Sequence, residues 1–560
     1  MYTQDFDPVS SSLGLSSIFA VLPILALFVL LGGFRLAAQW AALIALGMAM
    51  LVAMIVYGMP VDQTALSATE GATFGLFPIM WIVVAAIWIY NMTVETGHFA
   101  VLRRSFGAIS NDQRVQAVIV AFSFGALLEA LAGFGTPVAI TSVMLIALGF
   151  KPIKAASVAL VANTAPVAFG AIAIPIVTLS EITGLPKEDL GAMVGRQTPF
   201  LALLVPVILI WMVDGSRGIR QAWPAAVVGG FTFALAQFAC SNYISVELTD
   251  IAASLVSTGS IVLLLRVWQP GEPLIGDEAT GGFSRPAVAG SSTHSPDMEG
   301  EVRRRDDSVK DPPGDVLRAY SPYLVIIAVF SIAQIPAVKD ALAEKPWTTT
   351  VQWPGLDVVN PDGEALSSLT YNINWLPAAG TLLLICGLIT MVILRVTPGR
   401  AFKVFGGSID QLKWAILTVA SVLALAYVMN QSGQTITLGL WAAGAGDFFA
   451  FLSALIGWLG VAVTGSDTSS NALFGALQVT AAKDAGMSPT LLAAANSSGG
   501  VLGKMISPQN LAIGAAAVGM AGQEGDLFRK VLGWSIALVL VMCALVYLQS
   551  TAVLDWMVVK

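Results

Sequence analysis

The sequence predicts an all-α polytopic membrane protein, with about twelve transmembrane helices and two re-entrant hairpins arranged as an inverted repeat. Three observations support this prediction. Of 560 residues, 56 % are hydrophobic and only 11 % are charged, so a soluble protein of this length would lack the charge to cover its surface. The apolar residues fall in runs long enough to cross a bilayer. Two further apolar stretches are interrupted in the middle and resemble each other.

The remaining composition excludes several function classes. The net charge of −7 is spread along the chain, so no nucleic-acid partner is expected. The three cysteines and two histidines lie far apart in the sequence and have no metal-ligand spacing. We therefore expect no metal and no cofactor.

The candidate spans are runs of about 17 to 25 mostly apolar residues. The first follows an acidic head without Lys or Arg, so we expect a span rather than a cleaved signal peptide. The predicted spans are 15–34, 36–58, 74–95, 155–180, 198–214, 221–243, 247–266, 320–337, 373–395, 412–430, 488–520 and 531–554.

Two longer apolar stretches, 115–149 and 447–482, are broken near the middle by Gly, Pro or polar residues. The positive-inside rule favours re-entrant hairpins, because basic residues flank the first stretch at both ends and a cytoplasmic position for both groups returns the chain to the same side. With the N-terminus outside, the first hairpin opens from the cytoplasm and the second from outside. The flanking basic residues are Arg103, Arg104, Arg114, Lys151 and Lys154.

The membrane region divides into two halves, 15–268 and 319–554. Between them lies the segment 269–318, which is rich in Gly, Pro, Ser and charge. This composition predicts a disordered cytoplasmic linker. A regulatory or lipid-binding segment is the alternative.

An internal repeat links the two hairpins and the helices that follow them. Each half has a Gly-x-x-Thr tetrad, then an Asn, a Gly seven residues later and a Pro twelve residues after the Asn. Because the predicted topology gives the two units opposite orientations, the pattern is typical of an inverted-repeat secondary transporter with a substrate site at the midplane. The residues are GFGT (133–136), Asn163, Gly170 and Pro175 in the first half, and GSDT (465–468), Asn496, Gly503 and Pro508 in the second.

Hydroxyl and amide side chains around the interruptions are candidate substrate ligands. Interrupted helices free backbone polar groups, and their N-terminal ends carry partial positive charge that suits a carboxylate. The alternative is simple Gly/Pro kinks whose hydroxyls bond back to their own helix. The candidates are Thr136, Asn163, Thr164, Ser470, Asn471, Asn496, Ser497 and Ser498.

Three ionisable residues are predicted at membrane depth, where charge is costly and usually functional: Glu129, Asp467 and Lys504. Lys504 can act as a point charge for an anionic substrate, and Glu129 or Asp467 can carry a proton. The alternative is a structural ion pair between Lys504 and one of the carboxylates. Both interpretations hold if substrate or proton binding breaks that pair.

Four long strings resemble those of the bacterial L-lactate permease family: EALAGFGTPVAI, NTAPVAFGAIAIP, GSDTSSNALFGALQ and NSSGGVLGKMISPQNLAIGAAAVG. The resemblance runs over residues 15–554. It implies a multi-pass inner-membrane proton symporter for L-lactate, glycolate and related 2-hydroxymonocarboxylates. Sodium-coupled transporters of the wider group carry Ser-Asn-Thr motifs in their hairpins. Here Ser470 and Asn471 are followed by Ala472, a departure that weighs against sodium coupling.

Together these observations give a hypothesis for the mechanism. The lactate carboxylate binds Lys504 and the groups around Ser497, Ser498 and Thr164, and its 2-hydroxyl bonds Asn163 or Asn496. Glu129 or Asp467 takes up the proton. The alternatives are a cation/proton antiporter, a sodium-coupled carboxylate transporter and a membrane-embedded enzyme. The preferred hydroxyacid, the proton stoichiometry and the oligomeric state stay open.

Overall fold

The computed structural model describes residues 1–560 except 35, 132, 134, 276–310, 334, 367–368, 521–522 and 560. Most of the described chain is helical. The helices of the first half are α1 (Leu13–Ala20), α2 (Leu22–Phe28), α3 (Ala38–Ile55), α4 (Val61–Phe74), α5 (Trp81–Glu95), α6 (His98–Gly107), α7 (Gln113–Gln116), α8 (Gly125–Leu131), α9 (Thr136–Ala147), α10 (Pro152–Ala162), α11 (Gly170–Thr183), α12 (Lys187–Val194), α13 (Thr198–Tyr243) and α14 (Thr249–Val267).

The second half is also mostly helical. Its helices are α15 (Pro313–Ala333), α16 (Pro336–Ala343), α17 (Ala379–Ile393), α18 (Pro398–Ser432), α19 (Gln434–Ala443), α20 (Phe449–Thr464), α21 (Asp467–Asp484), α22 (Pro489–Gly503), α23 (Pro508–Ala517) and α24 (Glu524–Gln549). π-helical turns span Val29–Gly33, Gly75–Met80 and Ala117–Phe124, and 3₁₀ turns span Val167–Phe169, Gly446–Phe448, Lys504–Ile506 and Asp555–Met557.

Two small sheets involve the long loop before α17, and one of them also includes the N-terminus. Strand β1 (Tyr2–Thr3) pairs in parallel with β3 (Val358–Val359), and β2 (Thr349–Gln352) pairs antiparallel with β4 (Thr370–Ile373). The β1–β3 pairing brings the N-terminus to the loop after α16. The sequence predicts an external N-terminus and an external loop over residues 341–371. The pairing is consistent with both segments lying on the same side of the membrane.

The described residues contain ten helical segments long and apolar enough to cross a membrane, or eleven if the bent pair α10 and α11 forms one span. The chain is therefore a multi-pass membrane protein, as predicted. One of the ten, Lys187–Tyr243, folds back at Asp214 and Gly215, where the backbone leaves helical geometry. Its two arms pack side by side, since Thr198 Oγ1 donates to Gln237 Oε1 at 3.2 Å. The count of twelve spans stays a prediction.

Both interrupted stretches fold back on themselves. In the first, Gln113 Nε2 donates to the carbonyl of Leu148 at 3.0 Å, so its two ends meet, and the backbone has positive φ at Gly133 and Gly135 between its two arms. In the second, Gln478 Nε2 donates to the carbonyl of Ser453 at 3.1 Å, which joins α21 to α20. We call these units hairpin 1 (Gln113–Ala147) and hairpin 2 (Phe449–Asp484).

A buried arginine fastens the base of hairpin 1 to the start of the predicted linker. The Arg114 guanidinium is fully buried and pairs with Asp112 at 2.6 Å and Asp214 at 3.0 Å. It also donates to the carbonyl of Glu272 at 2.6 Å, and Leu274 N donates to Asp112. Burial alone raises the pKa of Asp112, but the hydrogen bonds and charge of Arg114 outweigh burial and lower this pKa. The disorder predicted for 269–318 falls mostly on 276–310, outside the described residues.

The helix after each hairpin is broken, at a different point in each half. The first break begins at Asn163, where α10 and α11 are bent by 64°. The second begins at Lys504, eight residues beyond Asn496. Pro166 explains the difference, because proline cannot donate to the helix ladder and disfavours helical geometry in the residue before it. The second half has no proline between Pro489 and Pro508, so α22 continues through Asn496. The inverted symmetry itself stays a prediction.

Close backbone packing holds hairpin 2 against α22. A side chain at Gly499 would collide with the backbone of Ala454, and one at Gly503 would collide with that of Trp458. The α20–α22 contact therefore needs glycine at these positions. This contact fixes the position of α22 against hairpin 2.

We expect Gly499→Ala to destabilise the protein by about 1–3 kcal/mol, because an added methyl group must push α20 and α22 apart. Thermal unfolding in detergent measures the effect. Gly47→Ala in α3 is the matched control, since its added methyl meets nothing within 4 Å. Equal melting temperatures for the two variants would contradict the close packing.

Candidate substrate and proton site

An ion pair lies at the centre of the site. Lys504 Nζ, at the break after α22, is 2.6 Å from Glu129 Oε1 in α8. The two residues are 7 % and 3 % exposed, and the hydrogen bond between them is charge-assisted. A structural ion pair between Lys504 and one of the two carboxylates is the alternative interpretation of the sequence. In the structure the partner is Glu129, so the pair ties hairpin 1 to the second broken helix.

Two glycines make room for the Glu129 carboxylate. A Cβ atom at Gly170, at the start of α11, would lie 2.9 Å from Glu129 Oε1, and one at Gly133 would lie 3.7 Å from it. Glu129 Oε2 is buried without a hydrogen-bond partner among the described residues. Glu129 therefore sits between the turn of hairpin 1 and the first broken helix, with one oxygen on Lys504.

A narrow crevice opens beside the ion pair. Asn163, at the C-terminal end of α10, has its amide nitrogen and oxygen both buried without partners in the described structure. Such groups are rare in folded proteins, so this amide is free to bind a water molecule or a ligand. Thr164 Oγ1 donates to the carbonyl of Val161 at 2.7 Å, so this hydroxyl does bond back to its helix. The lining residues are Val138, Leu160, Asn163, Thr164, Lys504, Met505 and Asn510.

A second polar cluster surrounds Asp467, the first residue of α21. Asp467 Oδ2 accepts hydrogen bonds from Ser497 Oγ at 2.5 Å and Asn471 Nδ2 at 3.4 Å. Asn496 Nδ2 donates to Asn471 Oδ1 at 2.8 Å, and Gln478 Nε2 donates to Asn496 Oδ1 at 3.2 Å. These bonds form a chain from Gln478 to Asp467 that connects hairpin 2 to α22.

The cluster also reaches the first half, because Asn471 Nδ2 donates to the carbonyl of Pro175 at 3.1 Å. The two charged clusters meet along one side of α22. Ser497, Gly500 and Lys504 follow at helical spacing, and a Cβ atom at Gly500 would overlap Asp467 Oδ1. Both predicted carboxylates therefore approach the same face of the second broken helix, one turn apart.

The other predicted ligands have different surroundings. Ser498 Oγ is buried without a partner among the described residues. Ser470 Oγ donates to the carbonyl of Gly457 at 3.3 Å, which joins the two arms of hairpin 2. Thr136 is half-buried at the start of α9 and does not line the crevice.

Besides Asp112 and Glu247, which pair with basic residues, the described chain contains two further buried carboxyl groups that sequence reasoning missed. Asp250 is fully buried in the first turn of α14, and Glu70 is 1 % exposed in α4. The predicted spans began at residues 247 and 74, which put Asp250 near a membrane interface and Glu70 outside the membrane. The helix bearing Glu70 begins at Val61, so this glutamate lies well inside it. Glu129, Asp467 and Lys504 are therefore not the full set of buried ionisable groups.

The chain matches a known family over almost its whole length. The family described as L-lactate permease matches residues 16–553. The L-lactate permease of Bacillus subtilis (strain 168) is 41 % identical over 575 residues, covering 100 % of both chains. The glycolate permease GlcA of Escherichia coli (strain K12) is 42 % identical over 562 residues, covering 98 % of each chain.

The L-lactate permease of Escherichia coli (strain K12) is 41 % identical over 568 residues and covers 100 % of both chains. These relatives are named as permeases, which are transporters rather than enzymes. The resemblance predicted from the sequence strings is confirmed: the chain belongs to the L-lactate permease family.

Proposed function

We propose that this protein imports L-lactate and related 2-hydroxymonocarboxylates such as glycolate, together with protons, across the bacterial inner membrane. The names of its relatives support the substrate class. The single observation that carries the coupling is the buried Lys504–Glu129 ion pair beside Asn163, whose amide has no hydrogen-bond partner among the described residues.

Charge balance explains how the pair couples an anion to a proton. Lys504 and Glu129 are together neutral, and removing one partner of a buried pair leaves an uncompensated charge. When a lactate anion replaces Glu129 as the partner of Lys504, the Glu129 carboxylate is left buried without a compensating charge. A proton on Glu129 restores neutrality, so substrate and proton bind together and the loaded site carries the same net charge as the empty one.

The crevice supplies matching polar groups for a 2-hydroxyacid. In this proposal Lys504 Nζ binds the carboxylate as a point charge. The 2-hydroxyl bonds Asn163, whose amide has no other partner in the described structure, rather than Asn496, whose amide is engaged by Asn471 and Gln478. The oxygen of Thr164 remains an acceptor, because its proton is engaged by Val161.

Asp467 has a different role in this proposal. Its Oδ2 accepts bonds from Ser497 and Asn471, which position hairpin 2 against α22. Glu129, which the substrate displaces from Lys504, is the proton carrier, and Asp467 holds the Asn471–Asn496 chain in place.

Sodium coupling is the second candidate. Asp467 Oδ1 and Ser498 Oγ are buried oxygens without partners among the described residues, and oxygen ligands suit a hard cation. The nearby positive charge of Lys504 works against a cation at this point.

The first test is transport by the purified protein in liposomes. An imposed pH gradient, acidic outside, is expected to drive labelled lactate inward, because each anion enters with a proton. A Na⁺ gradient at equal pH is the control and is expected to have no effect. Uptake that follows Na⁺ and ignores the pH gradient would overturn the proton assignment.

Lys504→Ala is expected to weaken lactate binding by about tenfold to a hundredfold, the range for a lost hydrogen bond to a charged group. Lactate protection of the detergent-solubilised protein against thermal unfolding measures affinity. Because Lys504→Ala leaves Glu129 buried alone, Lys504→Met combined with Glu129→Gln tests the same loss without a stranded charge. Lys483→Ala, an exposed lysine at the end of α21, is the control. Unchanged affinity in the double variant would refute the carboxylate role.

Glu129→Gln tests the proton carrier. In the wild type, lactate affinity is expected to fall as pH rises, by up to about tenfold per pH unit, because binding takes up one proton. The glutamine variant mimics the protonated acid, so its affinity is expected to be independent of pH. Glu364→Gln, at an exposed position, is expected to keep the wild-type profile. If Glu129→Gln keeps the wild-type pH dependence of lactate affinity, another group carries the proton.

A further inference from the structure

A buried carboxyl that the proposed mechanism does not use lies next to the first broken helix. Asp250 is 0 % exposed, and its Oδ1 accepts a hydrogen bond from Gln237 Nε2 at 3.3 Å. Its Oδ2 is buried with no hydrogen-bond partner, and no ion pair to Asp250 occurs in the described part of the chain.

These surroundings favour the neutral acid. A carboxylate buried without a cation is strongly disfavoured, because nothing replaces its hydration. The N-terminal end of α14 attracts negative charge, but one helix end offsets only a small part of that cost. We therefore take Asp250 to hold a proton while Glu129 is ionised on Lys504.

Gln237 connects Asp250 to the break that lines the crevice. The same Gln237 Nε2 lies 3.5 Å from the carbonyl oxygen of Ala165, two residues beyond Asn163. Gln237 Oε1 accepts from Thr198, which fixes the orientation of the amide. A single glutamine amide thus contacts both the buried acid and the backbone of the break.

Asp250 and Glu129 stand on neighbouring helices, since α8 packs against α14. The other titratable groups around Asp250 are already engaged. Glu247 pairs with Lys187 at 2.5 Å and also accepts from Ser245. The Cys240 thiol donates to the carbonyl of Ser245 at 3.4 Å. Of these groups, only Asp250 has a carboxyl oxygen without a hydrogen-bond partner among the described residues.

We propose that Asp250 is a proton relay for Glu129, an inference that rests on the proposed proton symport. When the substrate carboxylate replaces Glu129 on Lys504, the O–H bond of Asp250 breaks and an O–H bond forms on Glu129. Asp250 then regains a proton from water. The proton count is balanced, and at each stage at least one of the two acids is neutral.

The test compares Asp250→Asn with Asp250→Glu in liposomes. Asparagine keeps an acceptor for Gln237 but cannot release a proton. With a gradient of about one pH unit, one-to-one coupling supports about a tenfold accumulation of lactate, and Asp250→Asn is expected to lower this ratio to about one. Exchange of internal for external lactate needs no net proton transfer and is expected to stay within about twofold of the wild type. Glu70→Gln is the matched control, because Glu70 is a buried acid that also accepts from a glutamine, Gln431.

Each outcome either supports or refutes the relay. Accumulation at the wild-type level in Asp250→Asn overturns the relay. If Asp250→Asn loses exchange as well, Asp250→Glu decides: restored exchange and accumulation support the requirement for an acid, and loss of both identifies a structural residue and refutes the relay.

Infrared difference spectra give a readout that does not depend on transport. The wild type is expected to show the carbonyl band of a protonated, buried carboxylic acid before lactate is added. Asp250→Asn is expected to lose that band, whereas Glu70→Gln keeps it. If Asp250→Asn retains the wild-type band, Asp250 does not hold a proton and the relay is refuted. Failure of the wild type to accumulate lactate under a pH gradient instead refutes the proposed symport, whatever the Asp250 spectra show.

Discussion

The ion pair between Lys504 and Glu129 constrains the rest of the centre. It joins two segments 375 residues apart, one in hairpin 1 and one at the break of the second broken helix. Because both charges are buried, neither can leave its partner unless another charge or a proton takes its place. In the proposed function, a site with this constraint binds ions in neutral combinations, and an anion together with a proton is the simplest combination that the pair admits.

The backbone around the pair is built from close contacts that larger residues would prevent. Gly170 leaves space for the Glu129 carboxylate, and Gly500 leaves space for that of Asp467. Gly499 and Gly503 let α22 approach hairpin 2 at backbone distance. Helices in a membrane gain little from the hydrophobic effect between them, so such small-residue contacts and the buried polar bonds provide much of the specificity.

The two halves use similar sequences for different chemistry. Asn163 and Asn496 occupy matching positions of the repeat, yet the amide of Asn496 is held by Asn471 and Gln478, whereas that of Asn163 has no partner in the described structure. Pro166 accounts for part of this asymmetry, because it ends α10 at Asn163 while α22 runs on to Gly503. The first half therefore has an asparagine amide beside the crevice without a partner in the described structure. In the second half the matching amide belongs to a hydrogen-bond network.

The sequence alone determined the membrane class, because a chain with so little charge and such long apolar runs needs a bilayer to cover its surface. It located both hairpin turns, because Gly-rich tetrads interrupt helices locally. It also predicted Glu129, Asp467 and Lys504 as ionisable residues at membrane depth, since a charged residue is conspicuous in an apolar run. Only the tertiary structure decided which carboxylate meets Lys504 and which asparagine stays open, and only it revealed Asp250 and Glu70 as buried. Those outcomes depend on contacts between distant segments and on where each helix begins, and local sequence patterns determine neither.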